Sequence, residues 1–207
     1  MNEPPSFQAD ASGDDPDRDL LLMQRIKGGD MEAFRELVET HQQRVLGTIG
    51  RMLGDDTEAE DLAQQVFVRV WKSAGRWEPS AKFTTWLYTI VRNLVFNESR
   101  RRSRRPARSL DEMQDDEEHP RQFQDPGTKA PDTNMLDTEM QDAIERAIQE
   151  LPETQRMAVV MRRYQDVSYE EIAEVLNLTV SAVKSVLFRA RTELREKLKQ
   201  YLGEDVD

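Results

Sequence analysis

The chain has no cysteine among its 207 residues. Disulfides, thiolate metal ligation and cysteine catalysis are therefore excluded, and a reducing cytoplasm is the expected compartment. No apolar run approaches the roughly 20 residues a membrane span requires. The first residues, MNEPPSFQADASGDDPDRD, have neither the basic start nor the apolar centre of a signal peptide. No membrane insertion is expected. Histidine occurs twice: His41 borders a helical stripe and His119 lies in a charged spacer, and neither has neighbours that suggest catalysis. There is no internal repeat and no convincing alternating strand. The acids Asp55, Asp56, Glu58, Glu60 and Asp61 raise the idea of a metal-dependent nuclease, but they gather at a helix start, where the macrodipole favours negative charge without a metal. No enzyme activity, no metal and no cofactor is expected.

Acidic charge is abundant but unevenly placed. The net charge is -11, which argues naively against a nucleic-acid partner. Residues 1–19 carry -5 and residues 107–137 carry -6, so these stretches hold the whole excess. The remainder divides into +4 over residues 20–106 and -4 over residues 138–207. Screening limits exposed charge effects to about 8 Å at physiological salt, so locally clustered bases still form an electrostatic footprint. The same division predicts the organisation. A disordered acidic tail (1–19) precedes a helical block (20–106), a flexible acidic linker (107–137) and a second helical block (138–207). The fold class expected is all-α, with two small helical domains and a helix-turn-helix in the second.

Block one is punctuated at Gly28-Gly29-Asp30, Gly54-Asp55-Asp56 and Arg76 to Ala81. Thr57 with Glu60 reads as a capping box opening a helix whose buried face is Leu62, Ala63, Val66, Phe67, Val70 and Trp71. The last helix, FTTWLYTIVRNLVFNE, runs into SRRRSRR. Phe83, Trp86, Leu87, Ile90, Val91, Leu94 and Val95 have the spacing of one core face. The remaining face would hold Thr84, Thr85, Tyr88, Thr89, Arg92, Asn93, Phe96 and Asn97, followed by five arginines within six residues. Such a surface suits a separated nucleic-acid strand, because aromatic stacking is worth about 1–3 kcal/mol per base and arginines neutralise phosphates.

Block two carries further capping boxes at Thr138/Gln141 and Ser168/Glu171, and Pro152 stands at a first helical position. Ser168 to Leu176 reads as a short helix, Asn177-Leu178-Thr179 as a turn, and Val180 to about Tyr201 as a long helix, the proportions of a helix-turn-helix. With Val183, Val186, Leu187, Ala190 and Leu194 inward, the outer face displays Ser181, Lys184, Ser185, Phe188, Arg189, Thr192 and Arg195. Lys184 and Arg189 can reach guanine acceptors, Phe188 a thymine methyl, and Arg191 and Arg195 phosphates. Each block is small and can bury only about 60% of its unfolded surface, so docking on a partner would help both.

A strand-trapping helix followed by a major-groove reader, with GDMEAFRELVETH, AEDLAQQVFVRVWKSAGRW, KFTTWLYTIVRN and LPETQRMAVVMRRYQDVSYEEIAEVLNLTVSAVKSVLFRARTELR in this order, resembles an RNA polymerase sigma factor of the extracytoplasmic-function type. The resemblance implies a sigma factor that binds core RNA polymerase through the beta-prime clamp helices and the beta subunit. It also implies recognition of promoter DNA at minus-35 and minus-10 elements, promoter melting, and an anti-sigma protein as a candidate partner. Asp61, Leu62, Gln64 and Gln65 match the clamp-helix contact, with Gln65 where relatives commonly have Glu. Arg76 to Lys82 with Asn93 match the pocket for a base flipped from the non-template minus-10 strand, and Tyr88, Arg92, Asn97, Arg100 and Arg101 complete that surface. Asn97 stands where relatives often have Asp. Ser181, Lys184, Ser185, Phe188, Arg189 and Arg191 match the minus-35 surface, with Lys184 where Arg is frequent. The acidic linker would run through polymerase channels in the family, would cover Arg100 to Arg105 in the free protein, or would serve only as a solvated tether with no preferred pose.

Overall fold

The computed structural model describes residues 15–104 and 135–202. The described elements are helical: α1 (Pro16–Lys27), α2 (Met31–Leu53), α3 (Asp56–Ser73), a 3-10 turn (Ala74–Arg76), α4 (Phe83–Arg104), α5 (Met135–Gln149), α6 (Glu153–Tyr164), α7 (Tyr169–Leu176), α8 (Val180–Lys197) and a final turn α9 (Lys199–Leu202). The expected linker lies almost entirely outside the described residues, as does Arg105.

Short polar side chains start these helices by accepting from the first free backbone amides. Asp15 accepts from Asp17 and Arg18, Asp30 from Glu32 and Ala33, and Asp55 from Glu58. Ser168 and Glu171 form the expected reciprocal capping box. Several boundaries differ from expectation. Asp55, not Thr57, caps α3, because a carboxylate two residues earlier already serves the amide of Glu58. Helix α5 begins at Met135, which puts Thr138 inside it. Pro152 is itself the cap of α6, and α8 stops at Lys197, short of Tyr201.

Helix α1 begins at Pro16, so the block starts before residue 20. Asp19, expected in a disordered tail, is 3% exposed, and its Oδ1 lies 2.8 Å from Nε2 of the equally buried His41. The His41 ring in turn meets Phe83 at 5.1 Å between centroids, linking α1 and α2 to the start of α4.

In block one, Met23, Leu37, Val45, Ile49, Val66, Leu87 and Val91 are buried together; in block two, Leu151, Met157, Met161, Ile172, Val183 and Leu187. These form one contiguous core, with α2 against α5 and α6, and α4 against α7. Each small block thus covers apolar surface that it cannot bury alone by docking on the other.

Candidate nucleic-acid interface

Helix α7 ends at Asn177, whose φ of 55° places it in the left-handed region that asparagine tolerates. Thr179 then caps α8 by accepting from the amide of Ala182. This turn seats Val183, Val186, Leu187 and Ala190 in the core and fixes the opposite face. Ser181, Lys184, Ser185, Phe188, Arg189 and Arg191 are all exposed. Phe188 is 71% exposed and lines a shallow concavity with Lys184, Ser185 and Arg189. An aromatic ring left in water among cations is the pattern of a contact surface rather than of a core. Helix α8 has no acid in its first turn.

On α4 the expected division of faces needs correction. Thr84, Thr85 and Tyr88, assigned to the nucleic-acid face, are buried, Tyr88 at 3% exposure. The Tyr88 hydroxyl donates to Oε1 of Gln165, 3.0 Å away in block two. Lys82 is exposed but pairs with Glu171 of α7 at 3.0 Å. The helix has a second buried stripe of threonine and tyrosine, from which Tyr88 reaches the connection between α6 and α7. Asn93, Asn97, Arg100 and Arg101 remain exposed, as does Arg76. Arg92 donates to Oδ1 of Asn93 at 2.7 Å, which fixes the orientation of that exposed amide. Preceding α4, Glu78 to Lys82 form an exposed loop anchored by buried Trp77, which packs on Trp86 at 6.3 Å.

The arginine run divides by partner. Arg101 donates twice to Glu98. Arg102 binds Glu58 and donates to the carbonyl of Leu53 at 2.9 Å, tying the last turn of α4 to the junction of α2 and α3. Arg100 and Arg104 point into solvent.

On α3, Asp61, Gln64 and Gln65 are exposed, whereas Leu62 is 6% exposed and belongs to the core. Sequence reasoning missed Val68, which is 49% exposed on the same outer face. Its signal was legible: an apolar residue standing off the Leu62, Val66, Val70 stripe.

Two structural relationships were not foreseen, and both join the blocks. Arg51 packs its guanidinium 3.9 Å from the centroid of the Tyr164 ring and binds Glu145 at 3.3 Å. The last carbonyls of α2 are capped from block two, Arg51 by Nε2 of Gln149 at 2.6 Å and Met52 by Nη1 of Arg156. Burial pushes the Tyr164 phenol up to about 12, with the Glu145 carboxylate adding to the effect. At Glu171 burial works to raise the carboxyl, but hydrogen bonds from Ser168 and Lys82 overcome it and hold it below its ordinary value.

The family model for sigma-70 region 2 matches residues 37–105, and that for sigma-70 region 4 matches residues 141–194, together more than half of the chain. The chain belongs to the extracytoplasmic-function sigma factors. As such it serves transcription initiation by RNA polymerase. This sigma factor is 35% identical to the RNA polymerase sigma-H factor of Pseudomonas aeruginosa over 91% of its own length and 97% of that protein. It is 31% identical to the extracytoplasmic-function sigma factor SigW of Bacillus subtilis, over 86% and 95% of the two chains. In fold it is similar to CnrH in complex with the cytosolic domain of CnrY, with a TM-score of 0.64, 24% identity and coverage of 90% of this chain and 99% of that one. It is also similar to the sigma factor RpoE in complex with the anti-sigma factor NepR from Bartonella quintana, with a TM-score of 0.61, 22% identity and coverage of 80% and 96%.

Proposed function

We propose that this sigma factor docks on core polymerase through α3, admits the non-template minus-10 strand at α4 and the loop before it, and reads the minus-35 element with α8. The observation that carries the reading is the outer face of α8, where exposed Phe188 stands between Lys184 and Arg189 on the groove-entering half of a helix-turn-helix. Lysine and arginine there can meet guanine O6 and N7, and the ring can meet a thymine methyl. Lys184 lacks the planar fork of arginine and so grips guanine through a single point charge.

At the other end, Asn93 and the 78–82 loop suit an everted base. Extracting a base costs a few kcal/mol, which hydrogen bonds to its edge and stacking offset. Arg76, Arg100 and Arg101, joined by Arg104, attract the neighbouring phosphates. Asp61, Gln64, Gln65 and Val68 supply the surface for the beta-prime clamp helices, with Val68 as apolar anchor. The beta subunit is the further polymerase contact. Chemistry stays with polymerase in this reading, since the sigma chain positions and opens DNA without catalysing. The site of action is the cytoplasm. An anti-sigma protein is a partner in the same reading, by analogy with the RpoE pair.

Run-off transcription with purified core polymerase on a genomic promoter library tests this. Discrete starts sharing two upstream elements are the expected result. Starts that do not change when Asn93 and Arg189 are substituted would sink the assignment.

A further inference from the structure

Helix α4 carries five arginines and a single acid, Glu98. That acid is not on the surface. Its side chain is 10% exposed, whereas that of Arg101 is 55% exposed. Arg101 donates to Oε1 of Glu98 through Nε at 3.0 Å and Nη2 at 2.8 Å, so a buried carboxylate grips a cation that stands in water. An ion pair exposed on both sides is worth little and exchanges readily with other ions. A buried carboxylate stripped of its partner keeps a desolvated charge, which is costly. Arg102 would then be left to serve Glu98, but its Nε lies 4.0 Å from Oε1, and its donors are committed to Glu58 and the carbonyl of Leu53. A phosphate therefore cannot simply displace Glu98 from Arg101. Arg100 and Arg104, in the same run, stand exposed.

We propose that Glu98 is a positioning residue for strand binding: it holds Arg101 as an internal counter-charge and so withholds one cation from the phosphates that Arg100 and Arg104 meet. The proposal rests on the reading of α4 as the minus-10 surface. The guanidinium edge formed by Nε and Nη2 is occupied by the carboxylate, so a phosphate finds only the Nη1 side, with a negative charge close behind it. Hydrogen bonding to Glu98 and the charge of that carboxylate also raise Arg101 above its ordinary value. Of the cations grouped at this surface, Arg101 then contributes least. The consequence is a ceiling on sequence-independent grip. Phosphate contacts carry no base information, so the free chain is held less by arbitrary DNA while the contact of Asn93 with a base is untouched.

The test measures binding of the full chain at several salt concentrations to two fluorescent single-stranded oligonucleotides. One carries the non-template minus-10 sequence of a start mapped by run-off transcription, and the other is a scrambled sequence of the same length. Each phosphate contact to a single strand contributes about 0.7 to the log–log salt slope, so Arg100→Ala should reduce its magnitude by about 0.7 and Arg101→Ala by less than about half of that. E98Q keeps the shape of the side chain and removes its charge. It should steepen the slope by about 0.7 and, as one added contact that is neutral near 1 M salt, tighten both oligonucleotides about fivefold at about 0.1 M. In the E98Q background Arg101→Ala should regain its full effect on the slope, which a merely structural role for Glu98 would not produce. Should thermal melts show that E98Q does not fold, the Arg100 and Arg101 single variants decide alone. Equal slope losses for Arg100→Ala and Arg101→Ala overturn the proposal. So does a folded E98Q chain that keeps the wild-type slope, or whose gain is confined to the minus-10 oligonucleotide. Failure of the underlying strand reading registers separately, as run-off starts insensitive to Asn93.

Discussion

Arg156, in the first turn of α6, donates through Nη1 to the carbonyl of Met52 in the last turn of α2, while its Nη2 reaches the carbonyl of Leu151 at 3.1 Å. One guanidinium therefore caps a helix of block one and fixes the entry to a helix of block two. A cation at a helix C-terminus also complements the macrodipole.

Arg156→Ala should lower the unfolding free energy by about 1.5–3 kcal/mol, the range for hydrogen bonds to charged groups. Arg156→Lys should recover only part of this, since an ammonium has no fork to span carbonyls on opposite sides. Urea denaturation midpoints at constant slope measure both. Equal midpoints for the three proteins would contradict the capping role.

Phe188 offers an atom-level check on minus-35 reading. Replacing a thymine in that element by uracil removes one methyl group and should weaken wild-type binding about fourfold, from about 0.8 kcal/mol per buried methyl-sized group. Phe188→Ala should bind both DNAs equally. As the ring is 71% exposed, stability should change by no more than about 0.5 kcal/mol. A methyl effect that persists in the alanine variant would remove Phe188 from the reading set.

The arginine run should split by function. Arg104→Ala deletes a solvent-facing cation and should reduce the magnitude of the log–log salt slope of strand binding by about 0.7. Arg102→Ala should leave that slope unchanged and cost fold stability instead, because its partners are Glu58 and the carbonyl of Leu53. Binding titrations at several salt concentrations, paired with thermal melts, separate the two. An Arg102 variant with a reduced slope and an unaltered melt would reverse the assignment.

Asn93→Ala and Arg189→Ala should act on different steps. The first should slow promoter opening more than it weakens duplex binding, and the second should cost about 1–3 kcal/mol in upstream recognition. Permanganate reactivity of unpaired thymines reports the former and duplex mobility shifts the latter. Equal effects on both steps would dissolve the distinction.

Alkaline pH should loosen the contact between the blocks at Tyr164. Its phenol is raised from 10 to about 12 by burial first and by Glu145 second. Above pH 10 the unfolded chain loses this proton while the folded chain keeps it, so the stability it contributes is present below pH 10 and lost as pH rises toward 12. The loss is on the order of 3 kcal/mol for a shift of this size. Glu171 has the opposite sign. Its lowered carboxyl contributes above the ordinary carboxylate range, and that contribution is lost as pH falls through its folded value. Stability curves of wild type minus Tyr164→Phe, flat from pH 10 to 12, would refute the alkaline half.

Much of this was legible in the chain. Ser168 and Glu171 announced the start of α7, and Asn177 the turn that aims α8, because caps and left-handed residues are local devices readable within four positions. The outer face of α8 followed from its inner stripe alone. Tyr88 was misassigned for the complementary reason. Its face on α4 is built of threonine and tyrosine, whose polarity suggests exposure, and its partner Gln165 lies 77 residues away, beyond any periodicity. Leu62 was placed on the clamp surface by family position although its own stripe put it in the core. The capping of α2 by Gln149 and Arg156 has no sequence signature either, since a backbone carbonyl advertises nothing about which distant side chain will meet it.

The end of α2 has a further consequence for how the molecule responds when its halves separate. Of the carbonyls at Arg51, Met52 and Leu53, two are roofed by block two, and Arg102 alone serves the third from within block one. Parting the halves leaves two of them to water, and a terminal turn capped by solvent frays more easily. Asp55, two residues beyond, is the cap of α3, the helix proposed to dock on polymerase. Hydrogen exchange at the amides of residues 51–55 is therefore where separation would first be felt, at the doorstep of the docking helix.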